Sequence, residues 1–308
     1  MSILLKLLAA LAVLVGGLVA YVYLAPAAAL DSATNLLRSR AGLKRADLDV
    51  DGIHVAYLDG GQGEPLVLLH GFGGEKDSFA RVSKFLTPHY RVIAPDVPGF
   101  GESDKPLDID YSMDAIVARL HAFVQRLGLA RFALGGNSMG GFIATAYAVK
   151  YPDEVSSLWL LAPGGIMSAP QSALAQRLAG QGKTLAVSTP EEFRALIGTV
   201  TAKPIHLPGP FLDVLARRAL ANQQVQSKAL AEIMQSPSLE VTAKGLTTPA
   251  LIVFGDQDQV INPAAAEIAH GLLPNSQVKL MHEVGHLPMA EEPAQAAADY
   301  LAFRGTLR

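Results

Sequence analysis

The feature that most constrains this chain of 308 residues is the run Gly136-Asn137-Ser138-Met139-Gly140. It follows a short apolar stretch, 131–135, that reads as a strand, and it opens a longer one, 139–151, that reads as a helix. A serine with glycines two residues to either side, at a strand-to-helix junction, is the pattern of a nucleophile elbow. The turn must be sharp enough to lift the hydroxyl clear of the sheet edge. Side chains at the flanking positions would meet the adjoining strand and helix, so the glycines answer a steric demand. The competing reading is a tight turn with an incidental serine. The rest of the chain decides between the two.

A serine nucleophile needs a base to take its proton and a carboxylate to hold that base in one tautomer. With an elbow of this kind the chain order is Ser, acid, His. Residues 250–254 read as a buried strand running into Gly255-Asp256-Gln257-Asp258, and residues 276–281 as another that leads to Gly285-His286-Leu287-Pro288. Each candidate stands just past the C-terminal end of a strand, where open α/β sheets place their ligands. Asp258, farther into its loop, is favoured as the acid partner of His286. Asp256, directly after the glycine, is expected to tie down loop backbone.

Two N–H donors are needed for the oxyanion, one from the residue after the nucleophile and one from an earlier loop. Met139 and Phe72, the latter within His70-Gly71-Phe72-Gly73-Gly74, are the candidates. No Lys-Ser/Thr pair follows this glycine-rich loop, so it does not read as a P-loop. His70 is expected to hydrogen-bond loop backbone. His282-Glu283-Val284-Gly285-His286 matches a zinc pattern letter for letter, but that pattern works only on a helix, where residues four apart share a face. A leading strand, Gly285 and Pro288 predict a loop here. No metal and no cofactor is expected.

These residues together resemble the α/β-hydrolase family over roughly 50–301. The likeness includes the two glycine-rich segments and Asp96-Val97-Pro98-Gly99-Phe100-Gly101-Glu102-Ser103-Asp104. It continues through Leu161-Ala162-Pro163-Gly164-Gly165 and the loops that carry Asp258 and His286. Within the family the chain is most similar to monoacylglycerol-lipase-like enzymes with an N-terminal membrane helix and to membrane-anchored bacterial phospholipase A proteins. The resemblance implies an α/β-hydrolase fold and a serine esterase that cleaves acyl esters of monoacylglycerols, lysophospholipids or phospholipids through an acyl-enzyme. Dehalogenases and epoxide hydrolases of the family carry an aspartate at the elbow, where Ser138 stands. The alternative is a carbon–carbon bond hydrolase of ring-cleavage products, which shares the Gly-Asn-Ser-Met-Gly-Gly elbow. In that group tryptophan usually follows the catalytic histidine, whereas Leu287 follows here and the single tryptophan is Trp159.

Residues 7–24 carry no charge and, at 1.5 Å per residue, span about 27 Å, close to the hydrocarbon core of a bilayer. Ala27-Ala28-Ala29 would suit a leader cleavage site, but the apolar run exceeds the usual leader length. A retained single-span anchor is favoured. Without cysteine there is neither a lipoprotein anchor nor a disulfide. Ala12, Gly16 and Ala20 form a ridge of small residues that would let two copies pair through this helix. Residues 31–45 read as amphipathic, with Arg38, Arg40, Lys44 and Arg45 placed either against anionic lipid or on a solvated linker. These basic residues count toward a cytoplasmic domain. The leader-like start and the anchored phospholipases it resembles favour a periplasmic one.

The expected organisation is therefore an anchor over 1–29, a juxtamembrane segment over 30–47 and a catalytic domain over 48–308. Strands alternating with helices imply a mostly parallel sheet covered on both faces. Between about 165 and 247 the alternation stops and helices at 172–179, 190–200 and 210–235 form a cap. A formal charge of −3 leaves no electrostatic footprint for nucleic acid.

Overall fold

A computed structural model describes residues 3–204 and 207–307. The strands are β1 (Leu43–Val50), β2 (Ile53–Gly60), β3 (Glu64–Leu69), β4 (Tyr90–Pro95), β5 (Phe132–Asn137), β6 (Val155–Leu161), β7 (Ala250–Gly255) and β8 (Ser276–Met281). They make one sheet in the order β1-β2-β4-β3-β5-β6-β7-β8. β1 and β2 pair antiparallel, β2 lies antiparallel to β4, and every later pairing is parallel. The hairpin turns on Asp51 and Gly52, both at positive φ (55° and 83°), as a two-residue turn between twisted strands requires.

Helices α1 (Ile3–Leu24) and α2 (Pro26–Arg40) precede the sheet. Between strands lie α3 (Ala80–Leu86), α4 (Met113–Arg126) and α5 (Met139–Lys150). The cap holds α6 (Ala173–Gly180), α7 (Pro190–Ile197), α8 (Gly209–Ala221), α9 (Gln223–Met234) and α10 (Leu239–Thr242). α11 (Ala265–Leu272), α12 (Pro288–Glu291) and α13 (Pro293–Gly305) complete the chain.

The central strands are apolar throughout because both of their faces are covered. Leu66 and Leu68 of β3 pack with α3 and α13, while Val67 and Leu69, pointing the other way, pack with α4 and α5. Trp159 of β6 stacks on Tyr300 of α13 at 4.6 Å. The tryptophan is thus a core residue on the sheet face opposite α5.

Two expectations need correction. The segment 31–45 is not one amphipathic element, since α2 ends at Arg40 and β1 begins at Leu43. Lys44, Arg45, Asp47 and Asp49 hide that strand, because an edge strand tolerates charges along its exposed side. The helix expected over 210–235 divides at Asn222 into α8 and α9. Ile205 and His206, between the cap helices expected at 190–200 and 210–235, lie outside the described residues.

Two of the basic residues expected to face either lipid or solvent are spoken for within the fold. Arg38 holds Asp77 through two bonds of 2.7 and 2.6 Å, and Arg45 pairs with Glu102 and Asp47. Lys76, fully buried, bridges Asp96 and Glu102 at 2.8 Å each. α2 is thereby clamped to the loop that begins at His70. Arg38→Met should cost about 3–5 kcal/mol, because it removes both hydrogen bonds from the nearly buried Asp77 carboxylate and leaves it only the Lys76 ammonium at 3.7 Å. Thermal melts of that variant and of Arg38→Met with Asp77→Leu check this; the double variant should recover part of the loss.

Candidate active site

Ser138 joins β5 to α5 with φ 55° and ψ −117°, a conformation that costs roughly 1–3 kcal/mol in a non-glycine residue. The fold over-determines it. Its N–H donates to Leu161 O at 2.9 Å, and its carbonyl accepts from Gly164 N at 2.8 Å and Phe142 N at 3.1 Å. The flanking glycines are sterically obligatory. A Cβ on Gly136 would stand 2.2 Å from the Gly140 carbonyl carbon, and one on Gly140 would stand 2.0 Å from Leu69 O. Ser138 is half-buried among neighbours that are otherwise inaccessible.

His286 and Asp258, both buried, meet at 2.8 Å between Nδ1 and Oδ2. The other Asp258 oxygen accepts from Val260 N at 2.8 Å and Ile261 N at 3.0 Å, so the carboxylate's orientation is set by backbone. With Nδ1 donating to Asp258, the Nε2 of His286 is the nitrogen able to receive a proton. Asp256 belongs elsewhere: it accepts from Glu283 N at 2.8 Å and pairs with the exposed His282 at 2.7 Å. That pairing raises the His282 pKa. The two histidines of the zinc-like run lie on a turn, with Glu283 at φ 56°, and each faces its own aspartate.

The loop after β3 reaches the serine. A Cβ on Gly71 would come within 3.2 Å of Ser138 Cβ. Met139 opens α5, so its N–H has no acceptor within the helix. Among the described residues, neither it nor the Phe72 N–H donates to backbone or side chain. Two free donors thus flank the serine. His70 is spent on structure: Nδ1 donates to Gly71 O at 2.8 Å, and Nε2 accepts from Val97 N at 3.0 Å. Burial pushes its pKa down, so it stays neutral.

Sequence reasoning missed several residues that hold this arrangement. The Asn137 side chain donates both to Leu161 O at 3.0 Å and to His286 O at 2.9 Å, tying the serine's strand to the histidine loop. Glu291 accepts from the N–H groups of Gly285 and Leu287, on either side of His286, and from Ala202 N of the cap at 2.7 Å. His286 N itself donates to Val200 O at 2.9 Å. The cap and the histidine loop are one packed unit. No local pattern marks Glu291; a carboxylate five residues past the histidine has no meaning until the loop is folded. Glu75, three residues after Phe72, is held up to a pKa of about 7 by burial and by the nearby Asp77 and Asp96 carboxylates.

The chain is 39% identical over 278 residues to lipase 3 of Moraxella sp. (strain TA144), covering 88% of each chain. It is 33% identical over 253 residues to human monoacylglycerol lipase ABHD6, covering 77% of this chain and 75% of that one. The crystal structure of a membrane phospholipase A, described as a novel bacterial virulence factor, superposes with a TM-score of 0.89. That pair shares 35% identity over 98% of this chain and 99% of the other. Residues 64–293, from the start of β3 to the start of α13, match the family model for the alpha/beta hydrolase fold. That match takes in the strained serine after β5 and the Asp–His pair beyond β7 and β8, and the chain belongs to the alpha/beta hydrolase fold family.

Proposed function

We propose that this protein is a membrane-anchored serine hydrolase of lipid acyl esters. One observation carries the reading: the serine held at positive φ beside a buried Asp–His pair and two free N–H groups. Relatives named as lipases, a monoacylglycerol lipase and a phospholipase A support the substrate class. Ser138 Oγ adds to the acyl carbonyl carbon as His286 Nε2 takes its proton. The oxyanion is met by the Phe72 and Met139 N–H groups. Collapse of the tetrahedral intermediate breaks the ester C–O bond, and His286 returns the proton to the departing alcohol. Water, deprotonated by the same nitrogen, then releases the fatty acid and restores Ser138. Labelling by a fluorophosphonate, together with hydrolysis of a short ester, tests the reading; an unlabelled, inert wild-type chain would sink it.

α1 supplies the anchor in this reading. Its 22 residues span about 33 Å, close to the roughly 30 Å hydrocarbon core, and none is buried against the protein. The same reading sets the catalytic domain outside the cytoplasm, where protease added to spheroplasts should reach it. An Arg218–Asp31 pair at 2.7 Å ties cap helix α8 to α2, directly after the anchor, so the cap sits near the membrane surface. Deleting residues 1–24 should release the protein while hydrolysis of a short soluble ester stays within about twofold. Hydrolysis of vesicle lipid should fall at least about tenfold, because the anchor supplies local concentration. Equal losses on both substrates would contradict this.

A further inference from the structure

Both backbone polar groups of His286 are held by distant parts of the chain. Its N–H donates to Val200 O of the cap at 2.9 Å, and its carbonyl accepts from the Asn137 side chain at 2.9 Å. The residues on either side are held by one carboxylate. Gly285 N lies 3.1 Å from both oxygens of Glu291, and Leu287 N lies 3.1 Å from Oε1. The cap reaches the same group, for Ala202 N donates to Oε2 at 2.7 Å. Glu291 ends α12, a single turn that begins directly after Leu287 and is pinned by the fully buried Met289. Its carboxylate is thereby carried back onto the loop that it follows.

The packing around this loop leaves no slack. A Cβ on Gly285 would stand 2.5 Å from Ala202 N and 2.8 Å from Thr201 C, and one on Gly255 would stand 2.1 Å from Val284 O. The histidine loop is pressed between the cap arm 199–202 and the end of β7. Three N–H groups converging there need an acceptor, and a carboxylate offers charge-assisted bonds about twice as strong as neutral ones. The adjacent Glu292 is exposed and makes no side-chain hydrogen bond or ion pair among the described residues. Asp258 fixes how the imidazole is turned, whereas the backbone that carries it fixes where it stands. A base works only within hydrogen-bond reach of its proton, and a misplacement of about 1 Å can cost about 100-fold.

We propose that Glu291 is a positioning residue for the base of the reaction. By gathering the N–H groups of Gly285, Leu287 and Ala202, it sets the distance from His286 Nε2 to Ser138 and makes the cap arm part of that setting. The assignment rests on the serine-hydrolase reading and gives the cap a part in it beyond covering the site.

The test compares Glu291→Gln, Glu291→Asp and Glu292→Gln in the full-length chain on one short soluble ester, well below each melting temperature. In Glu291→Gln the new NH₂ meets a donor whichever way the amide turns, either Leu287 N or Ala202 N. There kcat should fall by about 10- to 100-fold while KM stays within about threefold, and inactivation by a fluorophosphonate should slow in step. Glu291→Asp keeps both acceptor oxygens one methylene farther back; its kcat should lie between the two, at least about threefold below wild type. Glu292→Gln should stay within about twofold. Hydrogen exchange in Glu291→Gln should rise together in 199–203 and 284–288. A glutamate that served stability alone would lower the melting temperature and leave kcat unchanged. That outcome, a rise in KM with kcat intact, or exchange loosened in one segment only would overturn the assignment. If Glu291→Gln does not fold, Glu291→Asp decides, and an unchanged kcat in it would sink the idea. An active, labelled wild type with unaffected Glu291 variants would remove the positioning role alone. A wild type neither labelled nor active would remove the serine-hydrolase reading and the role with it.

Discussion

Ser138→Ala should abolish fluorophosphonate labelling and lower kcat for ester hydrolysis by about 10⁶-fold, the scale seen when the nucleophile of a comparable triad is removed. The variant should fold as the wild type does. Its β-carbon remains, and the bonds that hold the strained position run through the backbone N–H and carbonyl, which alanine retains. A residual rate above the uncatalysed one should persist, since Phe72 and Met139 still present their N–H groups to the developing oxyanion. Labelling followed by mass mapping, with the melting temperature as a control, checks both halves. A label that survives in the variant would put the nucleophile elsewhere.

Asp258→Asn should cost about 10⁴-fold in kcat, whereas Asp256→Asn should change it by no more than about twofold, the scale of ordinary surface substitutions. The reason for the first lies in the far side of the carboxylate. Val260 N and Ile261 N both donate to Oδ1. In the asparagine variant those donors would claim the amide oxygen, leaving the NH₂ to face His286 Nδ1. The imidazole would then keep its proton on Nε2 and could not receive one from Ser138. Asp256, with an exposed histidine as its partner, has no such hold on the chemistry. Steady-state kinetics of the two variants on one soluble ester make the comparison. The opposite ranking would exchange the roles of the two aspartates.

The strands and helices that flank the site were legible because burial on both sheet faces leaves continuous apolar runs: 276–281 matches β8 to the residue, and 250–254 matches β7 to within one. Each exception has its own cause. β1 carries charges, as edge strands do, and α3 is a seven-residue helix too short for its period to stand out. Arg38 reads as facing either anionic lipid or solvent because, in the sequence, a basic residue among leucines looks the same whether its partner is a phosphate, water or a carboxylate 39 residues away.

The sequence by itself determined the elbow, because its pattern is short: Gly136 is dictated by the Gly140 backbone four residues on, while the Gly140 constraint comes from Leu69 O at the end of β3. It also named the serine, the histidine and a choice of two acids, since each stands at the end of a recognisable strand. Only the tertiary structure decided which acid meets which histidine and that Asn137 spans 149 residues to the His286 carbonyl. It alone revealed that Glu291 holds the histidine loop against the cap. Those outcomes depend on hydrogen bonds between segments far apart in the chain. Such bonds are directional and short, so no periodicity or composition announces them before the segments have met.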